Sequence, residues 1–295
     1  MVIKPSFAEN NSENKADSPA KAPQFTIDFD LWKNKKEIKL TKTGRVDKII
    51  DGLTFTLKDG TVVRLASIDI PDRYERQNNL YEQAVVTILK DLFKSGTKVH
   101  LFQTRSSKEG RRNRMGHRLA HVVTDDDNIW IQGQLLQEGL AHVYNDPDQD
   151  ELLAELLEAE LKSMRAQNGI WDRSSPYFLR TPDQLDVSQD EFVVVQATPK
   201  KVATVRNNVY LNFGQNWKND FTVMITPDQR KKLARNGVDP LSLANQPLRV
   251  RGWLREYNGP FIELEDIGHL QVLKPDETLQ NEAQDSTLAP ENEES

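Results

Sequence analysis

Apolar and polar residues alternate over residues 44–50 and 54–57, and a Lys58-Asp59-Gly60 turn follows. A period of two marks half-buried strands, and a glycine-containing turn between such runs marks a hairpin. Residues 61–67 return as a third strand, and 99–104 and 118–123 read as two more. The period then changes. Ala84, Val85, Ile88, Leu89, Leu92 and Phe93 form a helical stripe across 81–94, with Gly96 as its stop. A short helix is predicted over 131–138, ended by Gly139. A longer one over 150–167 carries Leu152, Leu153, Leu156, Leu157, Leu161 and Met164 and stops at Asn168-Gly169. Five strands and about three helices in this order predict a small five-stranded barrel.

A second set of strand patterns covers 192–197, 209–213, 221–225, 248–254 and 261–264, with a helical insertion within 227–243 and an Asn258-Gly259 hairpin signal. This predicts a second small β-barrel, OB-like in style, so the chain reads as mainly β with α. The expected organisation is a disordered segment at 1–24, a first domain at 36–173, a linker at 174–190, a small barrel at 191–274 and an acidic disordered tail at 275–295. The length of 295 residues agrees with two domains.

Charge changes this picture. The net charge is -6, yet residues 36–118 hold 18 Lys/Arg against 10 Asp/Glu, and residues 119–191 hold 4 against 16. A basic block beside an acidic one implies a local anion-binding face or a solvated charged surface. The chain has no cysteine, which excludes thiol catalysis, disulfides and cysteine metal sites. No apolar run approaches a membrane span, and the first 25 residues hold no apolar leader core, so no membrane partner is expected and the cytoplasm is the default compartment. The five histidines have no metal-ligand spacing.

Candidate chemistry gathers around Arg64, Asp69 and Asp72. Phosphodiester hydrolysis needs an oxygen-ligated cation, a carboxylate that handles water and a cationic fork on the transition-state oxygens. A strand end carrying one Arg and two carboxylates meets that description, and so does an ordinary surface salt bridge. Context narrows the choice. The runs Val46–Thr54, Val63-Arg64-Leu65, Asp69-Ile70-Pro71-Asp72, Asn113–Val122, Gln137–Val143 and Ala166–Trp171 together resemble the thermonuclease (staphylococcal nuclease) family, over residues 40–173. The resemblance implies an OB-type barrel and a Ca²⁺-dependent nuclease of DNA and RNA.

It also implies a degenerate site. Arg64 matches a transition-state arginine and Asp69 a calcium-binding aspartate. Leu53 stands at the other calcium aspartate, Ile70 at an oxygen-donating threonine, Asp72 at the catalytic glutamate and His117 at the second arginine. Calcium binding is therefore expected to fall, with Asp51 as a weak second ligand. Arg111, Arg112, Arg114 and Arg118 are suited to phosphate backbones. In the second segment, Tyr210, Phe213 and Trp217 with Arg249, Arg251 and Arg255 suggest a stacking surface or, alternatively, a core with a charged outer face. The run 210–214 with 220–223 also resembles a small domain that follows nuclease-like domains in some bacterial proteins. Three readings follow. One is a weak or inactive nuclease-like protein that binds nucleic acid or acts as a scaffold. The others are an active metal-dependent endonuclease and a protein-interaction module.

Overall fold

The computed structural model describes residues 24–73, 79–94, 96–105, 111–145, 150–188, 190–216 and 219–279. Residues 1–23, the tail from 280 onward, Gly110 and Trp217 lie outside the described residues. The first unit runs α1 (Phe29–Asn34), β1 (Ile38–Asp51), β2 (Thr54–Leu57), β3 (Val62–Leu65), β4 (Ile68–Asp69), α2 (Leu80–Leu92), β5 (Lys98–Thr104), β6 (Arg118–Thr124), α3 (Ile131–Gln137), β7 (His142–Val143) and α4 (Leu153–Ala166).

β1 is twice as long as its alternation suggested. Its first half pairs with β5 and its second half with β2, with register shifts at Leu40/Lys42, Val46/Lys48 and Ile49/Asp51. Such bulges bend a strand and raise its twist, which lets one strand serve both sides of a closed sheet. The barrel closes in the order β1-β2-β3-β6-β5, with β3 and β6 parallel. Phe55, Leu57, Val63, Leu65, Val99, Leu101, Ala120 and Val122 fill it, and Val85 and Leu89 of α2 cover one end. The unit also begins earlier than residue 36. Trp32 on α1 is buried against Phe102 and Trp130, and Phe25 packs edge-on to Trp130. α1 is only six residues, too short for a periodicity signal, so its anchoring aromatics were not visible as a helix.

Two glycines of the resemblance motifs have one shared reason. Gly139 ends α3 at φ +66° and Gly169 follows α4 at φ +58°, and Ile170 N–H donates to the Gly139 carbonyl at 2.8 Å. A Cβ on Gly139 would sit 2.2 Å from the Asn168 oxygen, and one on Gly169 would sit 2.1 Å from the Gly139 oxygen. The close crossing of these helix ends admits no side chain.

The second unit runs β8 (Phe192–Ala197), β9 (Lys201–Val205), β10 (Asn208–Asn212), β11 (Thr222–Ile225), α5 (Pro227–Arg235), β12 (Leu248–Trp253), β13 (Arg255–Glu256), β14 (Pro260–Glu263) and β15 (Leu270–Val272). Its sheets are β13-β14-β11-β10-β9 and β15-β12-β8. Both surround one core of Val193, Val209, Leu211, Val223, Val250 and Ile262. β8 and β9 are one path broken at a bend, and so are β12 and β13. With those breaks joined, the strand order repeats that of the first barrel. In both units a helix lies between the third and fourth strands, and the third strand pairs in parallel with the fifth. The OB-like reading of this segment therefore rests on topology as well as on strand count.

Residues 174–190 do more than connect. Tyr177 and Leu179 pack with Met164, Ile170, Trp171 and Val194, and Arg180 bridges to the β8 backbone. The expected tail boundary at 275 also shifts, because residues 275–277 form a helical turn, with the Glu277 carbonyl held by Arg249 and the Leu279 carbonyl by Gln196.

The two units meet through buried charge. Arg251 on β12 forms a two-pronged pair with Glu160 on α4, at 3.0 and 2.7 Å, with both side chains at most 1% exposed. Arg251 Nη1 also donates to the Val143 carbonyl at 3.0 Å, and Glu160 Oε1 accepts the Val143 N–H at 2.7 Å. Removing one partner of such a pair strands the other in a dry site, whereas a matched apolar replacement of both is often tolerated. Arg251→Met is expected to destabilise the protein by about 3–5 kcal/mol, and Arg251→Met with Glu160→Met to recover most of that loss. Urea unfolding of the two variants checks this; equal losses in both would overturn it.

Three buried histidines set a pH limit. Burial holds the His121, His142 and His269 pKa values down at about 3, with Arg251 adding to the effect at His142 and His269. Above about pH 6.5 each is neutral both folded and unfolded and contributes nothing. Below that, the unfolded chain takes up protons that the folded chain refuses, until the pH reaches about 3. Stability should fall over this window, each histidine adding a slope of at most about 1.4 kcal/mol per pH unit. A urea midpoint that stays flat from about pH 7 to pH 5 would contradict this.

Candidate active site

The site lies where β3 and β4 leave the barrel. β3 alternates, so Val63 and Leu65 point into the core and Arg64 points out. β4 is held by only two residues of β7, which set Asp69 opposite His142. Asp69 forms an ion pair with Arg73 at 2.5 Å and lies 3.7 Å from Arg64. Burial raises its pKa, and the two arginines act against that rise. The structure thus brings together Arg64 and Asp69, with Arg73 beside them. Arg73 was not singled out in the sequence; its position four residues after Asp69 was the available signal.

Asp72 has another partner. It is 1% exposed, and its carboxylate accepts the N–H groups of Tyr81 at 2.8 Å and Glu82 at 3.0 Å. These N–H groups have no partner within the helix at the start of α2, and its own cap residue Asn79 offers them no side-chain cap, its Oδ1 accepting from Gln83 instead. Asp72 therefore caps a helix from a distance and also meets its positive end. Glu82, on the first turn of α2, accepts the Gly52 N–H at 2.7 Å. Its pKa is raised, first by burial and further by Asp51 and Asp72, while the Gly52 bond and Arg73 lower it. Asp51 accepts the Leu53 N–H at 2.8 Å. The β1–β2 turn is thus tied by two carboxylates. The carboxylate from α2 was missed because it is distant in sequence from the run that carries the resemblance.

These residues do not fit a calcium ion. Leu53 and Ile70 are at most 1% exposed and belong to the barrel core, so apolar packing occupies the positions of two oxygen donors. Asp69 is neutralised by two arginines and Asp72 is bound to backbone amides, whereas a hard cation needs about six or more oxygens. Among the described residues no three His, Asp or Glu side chains form a group able to hold a metal.

His117 lies in the turn before β6. Its N–H donates to Asn113 Oδ1 at 3.0 Å, and its carbonyl accepts the Asn113 N–H at 3.1 Å. Arg64 pairs with Leu119, and Val63 with Arg118. By strand alternation His117 shares the side of Arg64, whereas Arg118 faces the other way and donates to Gln103 Oε1 at 3.1 Å. The expected basic loop is largely self-bound. Arg111 donates to the Thr104 carbonyl at 2.9 Å, and Arg112 donates to the Gly116 carbonyl at 2.6 Å. Arg114 is exposed. In the second unit Arg249 and Arg251 are at most 2% exposed and Phe213 is in the core, so these three form no solvent-facing stacking surface. Their strand alternates as an outward face would, but the nuclease-like unit and residues 277–279 cover that face.

An OB barrel with an arginine–carboxylate edge at this corner defines a nuclease-like domain. Residues 62–173 match the family model described as staphylococcal nuclease homologue, which supports a thermonuclease-like family for this domain. No curated protein matches the chain at a significant level.

The capping role of Asp72 makes a prediction. Asp72→Ala should lower stability by about 1–2 kcal/mol through loss of the cap, with the loss concentrated in α2. Hydrogen exchange of the first α2 amides checks it, and unchanged protection there would sink the assignment.

Proposed function

We propose that the nuclease-like domain has lost cation-dependent hydrolysis and that the protein acts by binding, with nucleic acid as its ligand class. The observation that carries this reading is the engagement of both catalytic-edge carboxylates: Asp69 with Arg73 and Arg64, and Asp72 with the start of α2. Neither is left to hold a cation or to accept a proton from water. Buried Leu53 and Ile70 remove the remaining oxygen donors. His117 supplies a single imidazole where a charged fork would grip two phosphate oxygens.

One observation favours the rival reading, a working endonuclease. Glu82 is a half-buried carboxylate with a raised pKa beside Asp51 and Arg73, a setting in which a general base is tuned. The two readings separate in one assay. Plasmid DNA and RNA are incubated with the full chain, with Ca²⁺ and with chelator, beside Arg64→Ala and Glu82→Gln. The expected outcome is no metal-dependent cleavage above the variants. Metal-dependent cleavage abolished by both substitutions would overturn the proposal and make Glu82 the base.

A further inference from the structure

The second unit carries an open groove on the sheet β9-β10-β11-β14. Strand register builds it. Lys201, Asn212, Thr222 and Phe261 stand opposite one another across four strands, and Ala203 faces Tyr210 in the next row. Directly paired residues share a face, so these side chains form one surface. Ala203, Tyr210, Asn212, Thr222 and Phe261 line it from the sheet, and Tyr257 lines it from the β13–β14 hairpin. Tyr257 sits in the β13–β14 hairpin, 62% exposed, and packs edge-on to Phe261 at 5.4 Å. Gln215 and Asn258 add carboxamides at the rim. The groove encloses about 460 Å³, within the roughly 300–1,000 Å³ of ligand pockets.

Charge selects the occupant. β9, β10 and the turn between them, residues 201–212, contain Lys201 and Arg206 and no Asp or Glu, and Asp220 follows beside Gly214 at the end of this side. The protein as a whole is acidic at -6, so this stretch runs against the average. The acidic residues Glu256 and Glu263 belong to the β13–β14 side, where the aromatic walls stand. An anionic backbone therefore fits along β9 and β10, with flat uncharged groups turned toward Tyr257 and Phe261. That is the arrangement of a single-stranded nucleic acid: phosphates on one line and bases to stack on the other. A duplex keeps its bases paired inside and has none to offer the aromatic wall. An uncharged glycan has no use for the basic edge.

We propose that this groove binds single-stranded nucleic acid, with Tyr257 as the stacking platform and Lys201 on the phosphates. The proposal rests on the reading that the protein binds nucleic acid, and it moves the binding site from the nuclease-like barrel to the second unit.

The test uses the full chain in chelator with fluorescein-labelled oligothymidylate and oligouridylate, read by anisotropy, beside a labelled duplex. Single strands should bind more tightly than the duplex, and affinity should fall with salt. Tyr257→Ala, at an exposed position, should weaken binding roughly 5- to 100-fold, the range expected for one lost stacking contact. Lys201→Gln should reduce the salt slope by about one phosphate contact. Arg114→Ala, on the first barrel, should leave binding unchanged. Binding that survives Tyr257→Ala and Lys201→Gln but falls with Arg114→Ala would overturn the groove while leaving the broader reading intact. Preference for the duplex would also overturn the groove. No binding of any probe at low salt would overturn both.

Discussion

Val143 is held on both sides by one buried ion pair, and the geometry of the nuclease-like edge depends on it. Glu160 takes its N–H and Arg251 takes its carbonyl, while the two side chains lock to each other. Val143 belongs to β7, a two-residue strand that pairs, among the described residues, with β4 alone. A ladder that short has little stability of its own. β4 carries Asp69, so the positioning of that carboxylate is set in part by an arginine on the other domain. Phe192 of β8 stacks flat on His142, at 4.9 Å between ring centroids, and closes the same corner from the second unit. The two OB units therefore share a polar core at their contact.

That arrangement explains why the fold was legible and the site was less so. Alternation over 54–57, 61–67 and 99–104 located the strands because one face of each meets the barrel core, and a period of two reports a face. The same rule misled at Arg249 and Arg251. Their alternation with Leu248 and Val250 identifies a second face correctly, but periodicity does not say whether that face meets water or another domain. Here it meets α4, β7 and the segment at 277–279, so residues suited to a phosphate surface serve instead as buried donors. Glu160 shows the converse: within an acidic helix it looks like one more solvated charge, yet it is 1% exposed and paired. α1 and the true length of β1 were hidden for other reasons, the first by brevity and the second because bulges interrupt the alternation.

At this edge the resemblance pointed to positions that depart from the family pattern, and the structure shows what the residues at those positions contact. Leu53 and Ile70 are parts of the barrel core, so restoring oxygen donors there would bury polar groups without partners. Asp72 is not simply a shortened glutamate reaching toward a substrate. Its shorter arm suits the α2 amides, and the charge it keeps is favourable at a helix start. The residues that depart from the family pattern are the ones that supply packing and capping here.

The repeated OB path sharpens the contrast between the units. In the first barrel, the residues around the third strand are a closed set of charges: Arg64, Asp69 and Arg73 answer one another, and Glu82 and Asp51 hold a turn. In the second, the equivalent sheet is lined by Ala203, Thr222 and Asn212, too small to fill the space between Tyr210, Tyr257 and Phe261. An aromatic such as Tyr257, exposed over more than half its surface, gives up little packing by remaining in water and gains most when a flat partner covers it. The same topology thus appears once with the charges at its edge paired and once with an exposed aromatic surface. That surface has apolar area still to bury, which is what favours the second unit over the nuclease-like one as the proposed binding face.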